Sequence, residues 1–355
     1  MSSESIIQQG YDNGSATTVS GNVTSTNTAG ASVYISPIVL DFFLTFNLLI
    51  CGNIVGLLGI SGNIINIIVF YKQGYEDSVN ITLTALAVSD IGALVFVLMV
   101  IVMINPWFLN VDVSIVHIDV ATMLAFYPHN YFIRVCGFIT AFASCERCLC
   151  VLVPLKVKQI VTKRFSLLVN VFIFIVMLLD LFPVYYVVYL DWTFIPNQNK
   201  SLIASNYRQN PFAILRYTYF VTEIFVPYFT FFVIILSNVI IGLKLNARSQ
   251  WLNSVSHTNN KKDNAVSNRE KRVVLMLIVV SVIFIVCLIP QSAILTALIQ
   301  VQDLGSGGRY FDVSMLCYSI SYLMEAVCSS VNILVYYKMS SKYRKTLCRF
   351  FKCYY

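Results

Sequence analysis

Seven long apolar stretches constrain the fold of this chain more than any other feature of its sequence. Each reaches the ~20 residues that an α-helix needs to cross the hydrocarbon of a bilayer. The chain has 355 residues, of which 57% are hydrophobic and 12% charged, a composition too apolar for a soluble domain. We therefore predict an all-α membrane protein, a bundle of seven transmembrane helices. The stretches cover residues 43–71, 79–104, 120–153, 165–190, 212–245, 272–300 and 312–337.

The distribution of Lys and Arg predicts the orientation of the bundle. If the N-terminus lies outside, 19 basic residues fall on the cytoplasmic side and four fall outside, and cytoplasmic loops normally carry this excess. We therefore expect a multi-pass plasma-membrane protein with an extracellular N-terminus. Topology and contact with membrane lipid account for the net charge of +7, so we expect no nucleic-acid partner.

The polar segments divide the chain into three parts. We predict an extracellular N-terminal tail over residues 1–37, the seven-transmembrane domain over 38–340, and a short amphipathic helix with a cytoplasmic tail over 341–355. In this last part, basic residues face one side, and the other side carries Tyr343, Leu347, Phe350 and Phe351. Such a pattern is typical of a helix that lies on a membrane surface.

Covalent modification is predicted outside the spans. Glycosylation sequons begin at Asn13, Asn22 and Asn199, all on the expected extracellular side. Cys348 and Cys353 follow the last span beside basic residues. Two interpretations remain open for these two cysteines: reversible palmitoylation, or plain free thiols.

Polar and proline motifs recur inside the apolar stretches. An ionisable side chain such as Asp90 is costly in hydrocarbon unless it finds polar partners, which makes it a candidate functional residue. Arg147 keeps its charge in any protein, so at the membrane face it must pair with an acid or face a partner. The motifs are Gly62-Asn63, Leu86-Ala87-Val88-Ser89-Asp90, Glu146-Arg147-Cys148, Pro227, Pro290 and Asn332-Ile333-Leu334-Val335-Tyr336.

Together these motifs resemble those of rhodopsin-like (class A) G-protein-coupled receptors, and the resemblance covers all seven spans. The segment from Glu146 to Lys158 is similar to divergent invertebrate, mollusc-like receptors for chemosensory molecules or neuropeptides. The resemblance implies that an extracellular ligand binds between the outer halves of the helices and that a heterotrimeric G protein docks on the inner face. It further implies that Pro227 and Pro290 kink spans five and six, and that span six swings outward.

The same resemblance assigns a switch to the cytoplasmic face, formed by Glu146, Arg147, Glu270 and Tyr336. Glu270 occupies the position of the family acid that holds the arginine in the resting state. Glu146 is the neighbouring acid, so the implied arrangement is a clamp of two acids on Arg147. Breaking one such charge-assisted contact costs a few kcal/mol, which ligand binding can supply.

A polar hub in the middle of the bundle is implied as well, formed by Asn63, Asp90, Ser329 and Asn332. Two interpretations remain open, a water-filled hub or a weak Na⁺ site at Asp90. Cys136 stands where the family usually has serine, which favours the water-filled hub. No other metal site is expected.

The sequence departs from the family pattern at the extracellular disulfide. Thr122 lies near the usual cysteine of span three, and the loop over residues 190–216 contains no cysteine. We therefore expect this loop to be long, polar and weakly constrained. The inner loop over residues 247–269 is rich in Ser, Asn and Lys and is expected to be disordered.

Four ionisable residues are the candidates for ligand binding: His129, Arg134, Glu223 and Glu325. We predict that Arg134 pairs with Glu223 across spans three and five at the pocket floor, while Glu325 and His129 form a polar wall. The alternative is an ion pair that only fixes helix packing, because buried charges usually pair. A peptide or a small polar molecule would suit this pocket. His129 stands where amine receptors have aspartate, and residues 311–337 lack a lysine for retinal, so we expect no cofactor.

Other classes of membrane protein fit the sequence less well. A seven-span ligand-gated chemoreceptor channel would place the N-terminus inside, against the charge distribution. A transporter should show an internal repeat with paired broken helices, and none is visible. We expect no enzyme activity, since no metal set or Ser/Lys dyad stands at a working spacing.

Overall fold

The computed structural model describes residues 35–103, 105, 108, 111, 113–196, 199–208, 211–255, 261–305 and 308–350. The side chains of 154, 155, 158, 212, 248–255, 261–272 and 302 are excepted. Asn13, Asn22, Cys353 and the side chain of Glu270 therefore lie outside the described part of the protein.

Seven helices within the described residues are long and apolar enough to cross a membrane, which confirms the predicted fold class. Each carries the number that we use below. They are span 1 (Pro37–Gln73), span 2 (Ser78–Met103), span 3 (His117–Leu152), span 4 (Lys163–Val187), span 5 (Ala213–Ala247), span 6 (Val273–Gln300) and span 7 (Phe311–Met339).

The helices of spans 5 and 6 extend beyond the apolar stretches. One continues as regular α-helix to Val255, and the next begins at Lys261. The expectation of a disordered loop over residues 247–269 is therefore wrong for the described backbone. Polarity alone does not end a helix, and neither Gly nor Pro occurs between Leu243 and Arg272.

Two short α-helices lie outside the spans in the described part of the chain. Span 3 ends at Leu152, and Pro154 begins a separate helix, Pro154–Ile160, because its fixed φ suits a first helical position. The C-terminal helix, Ser341–Phe350, follows span 7, as expected for a helix on the membrane surface. The Arg344 guanidinium donates to the carbonyl oxygens of Tyr337 and Lys338 at 3.2 and 2.9 Å, which ties this helix to the end of span 7.

Residues 188–207 form an antiparallel β-hairpin, where the sequence predicted only a loop. Strand β1 (Val188–Ile195) pairs with β2 (Lys200–Tyr207), and Asn199 takes the turn with a positive φ of 49°. Asn tolerates this left-handed conformation better than most residues. The exposed turn makes Asn199 accessible, and its glycosylation stays a prediction.

The hairpin is attached to the start of span 3 by hydrogen bonds. The backbone N–H of Val116 donates to the Ile203 carbonyl at 2.8 Å, and the Ile203 N–H donates to the Ser114 carbonyl at 2.9 Å. Asp119 Oδ2 accepts from both the N–H and the hydroxyl of Ser205, at 2.8 and 2.9 Å. The loop expected to be less constrained without the family disulfide is thus anchored by these hydrogen bonds.

Three π-helical segments interrupt the spans on the side of the bundle that carries the hairpin, which we call the hairpin end. They are Thr45–Gly52 in span 1, Thr122–Phe126 in span 3 and Phe220–Phe225 in span 5. Pro227 lies two residues after the end of the third segment, where its missing N–H is consistent with a local change of helical pitch. Short π-helical segments inside α-helices frequently occur at functional sites.

Candidate functional site

A cavity of about 40 Å³, partly open to solvent, lies at the hairpin end between spans 3, 5, 6 and 7. Apolar side chains, among them Phe231, Phe284 and Leu288, form part of its wall. The remainder is polar, and it includes three of the four residues proposed from the sequence as ligand contacts. The polar lining comprises Asn130, Arg134, Thr222, Glu223, Thr230, Gln291, Ser292 and Glu325.

Arg134 lies at the centre of a buried ion cluster. Its Nη1 donates to Glu223 Oε1 at 3.0 Å, so the predicted pairing across spans 3 and 5 is present. Its Nε lies 3.3 Å from Asp180 Oδ2 on span 4, without the alignment of a hydrogen bond. Sequence reasoning missed this second partner, although Asp180 is an acid inside an apolar span. One guanidinium is thus shared by two carboxylates.

His129 and Glu325 form a second buried pair, joining spans 3 and 7. The ring atom Nε2 lies 3.0 Å from Glu325 Oε2, and Nδ1 lies 2.9 Å from the Ala93 carbonyl oxygen. A carbonyl oxygen only accepts, so Nδ1 carries a proton. Nε2 then faces the Glu325 carboxylate. Glu325 lines the cavity, whereas His129 contacts Glu325 but does not itself line the cavity.

Two amide side chains in the cavity wall have polar atoms without partners in the described part of the chain. Gln291 is 5% exposed, and neither its Nε2 nor its Oε1 has a hydrogen-bond partner. Asn130 is 6% exposed, and its Nδ2 lacks one too. Sequence reasoning missed both residues. The signal for Gln291 was a polar side chain directly after Pro290, in an otherwise apolar span.

The polar hub joins spans 1, 2, 3 and 7 below the cavity. Asp90 Oδ2 accepts from Asn332 Nδ2 at 2.8 Å, and Asp90 Oδ1 accepts from the Cys136 thiol at 3.3 Å. Asn63 Nδ2 donates to the Ser329 carbonyl oxygen at 2.7 Å. The structure thus brings all four predicted hub residues together, with Cys136 as an additional donor.

At the opposite end of the bundle, which we call the arginine end, Glu146 and Arg147 are both buried. Glu146 accepts hydrogen bonds from Ser166 at 2.5 Å and from Thr82 at 3.1 Å. No ion pair joins it to Arg147 in the described residues, so the predicted Glu146 arm of the clamp is absent in this conformation. The hydroxyls of spans 2 and 4 satisfy the carboxylate instead.

Span 6 is also held to span 3 at the arginine end. The Ser144 and Ser281 hydroxyls lie 3.0 Å apart, and both side chains are buried. Arg147 is 9% exposed, and its Nε has no hydrogen-bond partner among the residues described. The arginine end is therefore closed. Sequence reasoning missed this contact because serines in a span carry no signal of their own.

Tyr336 belongs to an aromatic cluster at the same end. Its ring centroid lies 5.4 Å from that of Phe70 and 5.8 Å from that of Tyr343. Tyr343 is only 1% exposed, and its hydroxyl donates to Asn66 Oδ1 at 2.6 Å. Its predicted place on the membrane-facing side of the amphipathic helix is therefore wrong. Burial raises the pKa of the Tyr343 phenol above its ordinary range.

These features define a class of protein: a seven-helix membrane bundle with a polar cavity at one end and a buried arginine at the other end of span 3. Comparison with known families agrees. The family model for the 7 transmembrane receptor (rhodopsin family) matches residues 62–336, and the chain belongs to this family. A search of curated proteins finds no match.

Family membership settles several expectations at a coarse level. Receptors of this family have an extracellular ligand and a G protein as their general partners. The chain is thus a multi-pass membrane receptor rather than an enzyme, and the channel alternative is not favoured.

Proposed function

We propose that the protein is a plasma-membrane receptor with its hairpin end outside, which binds a neuropeptide or polar chemosensory ligand and activates a heterotrimeric G protein. The observation that carries the proposal is the cavity with buried charges at one end of span 3. Arg134 in its wall and Arg147 at the opposite end lie 13 residues apart, or about 20 Å along a helix. Ligand site and coupling site thus share one rigid element.

Span 6 connects the two ends in this proposal. Gln291 and Ser292 face the cavity just after Pro290, where the helix lacks one backbone hydrogen bond. Ten residues earlier, Ser281 contacts Ser144 on span 3. A ligand that binds more tightly when span 6 has moved away from span 3 favours the open state by that difference in affinity. Opening separates the two serines and exposes Arg147 to the G protein.

The two acids proposed to act near Arg147 have different roles in this mechanism. Glu146 keeps the ends of spans 2, 3 and 4 together through its two hydroxyl contacts. Glu270, whose side chain is not described, is the remaining candidate for restraining Arg147 at rest. We therefore propose that the clamp has one acidic arm in the resting state instead of two.

A ligand screen tests the function as a whole. Cells expressing the receptor are exposed to neuropeptide and polar metabolite libraries, and dissociation of the G-protein subunits is measured. Arg147→Ala is the inactive control, and Lys163→Ala, which removes only an exposed pair with Glu76, is the matched control that keeps its response. A library hit that persists in Arg147→Ala cells would contradict the proposed coupling.

The orientation and the clamp have separate tests. A tag at residue 1 should bind antibody on intact cells, and labelling only after permeabilisation would reject an extracellular N-terminus. Glu270→Gln should raise ligand-independent coupling, whereas the exposed-pair control Glu76→Gln should not. Unchanged basal coupling in Glu270→Gln would reject the clamp.

A further inference from the structure

We propose that the ligand carries a primary carboxamide, and that the side-chain amide of Gln291 recognises it. This inference rests on the proposed function, since it names the chemistry that the cavity between spans 3, 5, 6 and 7 binds. Gln291 Nε2 donates to the ligand carbonyl oxygen, and Gln291 Oε1 accepts from the ligand N–H. Asn130 Nδ2 supplies a further donor in the same wall.

The charged groups of the cavity already have partners inside the bundle. Arg134 lies within 3.3 Å of both Glu223 and Asp180, and Glu325 lies 3.0 Å from His129. A ligand charge would have to disrupt one of these buried pairs, which is costly because it leaves the other member uncompensated. The charges therefore shape the cavity and do not determine which ligand it prefers.

The side-chain amide of Gln291 differs from these paired charged groups. Both of its polar atoms are buried and unpaired in the described part of the chain, whereas most buried polar groups in proteins have a partner. Leaving them unpaired destabilises the empty receptor, so a group from outside the chain is the expected partner. Because one atom donates and the other accepts, the complementary group must accept and donate in turn.

A primary carboxamide meets this requirement with two hydrogen bonds, because one of its N–H groups lies on the same side as its carbonyl oxygen. A trans secondary amide does not, because its N–H points away from its carbonyl oxygen. An ester offers only acceptors to the same residue, and a tertiary amide has lost its N–H. A carboxylate offers acceptors and a negative charge close to Glu223 and Glu325, which also line the cavity. Phe231, Phe284 and Leu288 provide an apolar surface for the rest of the molecule.

The test uses purified receptor in lipid nanodiscs and five probes built on one skeleton. These are 3-phenylpropanamide, its N-methyl and N,N-dimethyl derivatives, the methyl ester and the free acid. Binding is measured by saturation-transfer NMR. The primary amide should bind about tenfold or more tightly than the other four, because a site built around hydrogen bonds rejects analogues that cannot make them. The N-methyl amide is trans and offers its N–H and its carbonyl oxygen on opposite sides, so it should bind no more tightly than the ester.

Two variants connect the preference to Gln291. Gln291→Leu should remove the difference between amide and ester, while Gln300→Leu, the same change at an exposed position of span 6, should retain it. The melting temperature of empty Gln291→Leu receptor should equal or exceed that of wild type, because an unpaired buried amide is lost. A lower melting temperature would show that Gln291 has a structural partner and would overturn the inference.

Wild-type receptor that binds the ester, the N-methyl amide or the dimethyl amide as tightly as the primary amide, or that binds none of the five, also overturns the inference. The assay contains no G protein, so its failure is distinct from failure of the receptor function. Conversely, loss of coupling in the cellular screen leaves the amide preference of the purified protein as a separate result.

Discussion

The two ends of the bundle differ in how they treat buried charge. At the hairpin end, Arg134 has two carboxylates within 3.3 Å, and Glu325 lies 3.0 Å from His129. At the arginine end, Glu146 is held by two neutral hydroxyls, and Arg147 forms no ion pair with any described residue. Arg134 has acidic partners within the bundle at one end, whereas Arg147 is left for a group outside the described residues at the other. On that difference we propose a structural role for Arg134 and a switching role for Arg147.

The largest effect expected from this comparison is on stability at the hairpin end. Arg134→Met leaves two carboxylates that are 18% and 16% exposed without a cation, which should destabilise the receptor by about 3 kcal/mol. Thermal melting of purified protein and surface expression measure the loss. Arg208→Met is the matched control, because it removes surface contacts with Tyr186 and Tyr189, each worth about 0.5–1 kcal/mol. A melting temperature equal to that of wild type would show that the cluster is not balanced internally.

The ion cluster also changes how a ligand role for Arg134 must be tested. With one partner, a single Arg134→Met substitution would separate lost binding from lost packing. With Asp180 as a second partner, both interpretations predict lost expression. The compensated variant Arg134→Met, Asp180→Asn, Glu223→Gln should recover expression. Ligand response that also recovers would assign the cluster to packing alone.

In contrast to Arg134→Met, Arg147→Ala should change stability little and G-protein activation strongly. No described carboxylate loses a partner, so the stability should change by less than about 1 kcal/mol, while G-protein activation is abolished. Melting temperature and subunit dissociation in the same preparation give both quantities. A destabilisation as large as that of Arg134→Met would remove the distinction between the two ends.

A smaller effect is expected at the contact that keeps the arginine end closed. Ser281→Ala removes one buried hydrogen bond between spans 3 and 6, worth about 1 kcal/mol, and should raise ligand-independent coupling about fivefold. Ser144→Ala should have the same effect, and the double variant should add little, because both substitutions remove one interaction. Additive effects would show that the two serines act independently.

The smallest effect concerns Tyr343, whose hydroxyl donates to Asn66. Tyr343→Phe should cost about 1 kcal/mol near neutral pH. The folded-state pKa is raised above the ordinary value of 10.0, so the unfolded chain ionises first and stability falls as pH rises beyond about 10. The difference in melting temperature between wild type and Tyr343→Phe should therefore shrink from pH 9 to pH 11. Tyr71→Phe, at an exposed position, should show no such trend.

The seven spans were predictable because the sequence of each span is enough to show that it can cross a membrane. Length and apolar composition decide whether a segment can cross hydrocarbon, and neither depends on the rest of the chain. The pairing of Arg134 with Glu223 was predictable for a related reason, since an isolated charge at that depth is too costly to leave without a partner. The family resemblance placed Asp90 beside Asn332 in the same way.

The hairpin and the inner helices were not predictable by the same reasoning. The hairpin depends on bonds from Ser114, Val116 and Asp119, which lie about 85 residues earlier in the chain. The polar composition of the segment after span 5 predicts disorder. The segment is nevertheless helical where it is described, because it contains no Gly or Pro that would end a helix.

The sequence by itself determined that this chain lies in a membrane as seven helices. The free energy of placing a segment in hydrocarbon is a sum over the residues of that segment alone. Only the tertiary structure decided which polar atoms are satisfied. Asp180 reaches Arg134, Glu146 turns to Thr82 and Ser166, Tyr343 is buried, and Gln291 has no described partner. A hydrogen bond depends on ångström-scale distance and direction between groups far apart in the chain, and neither quantity is contained in residue order.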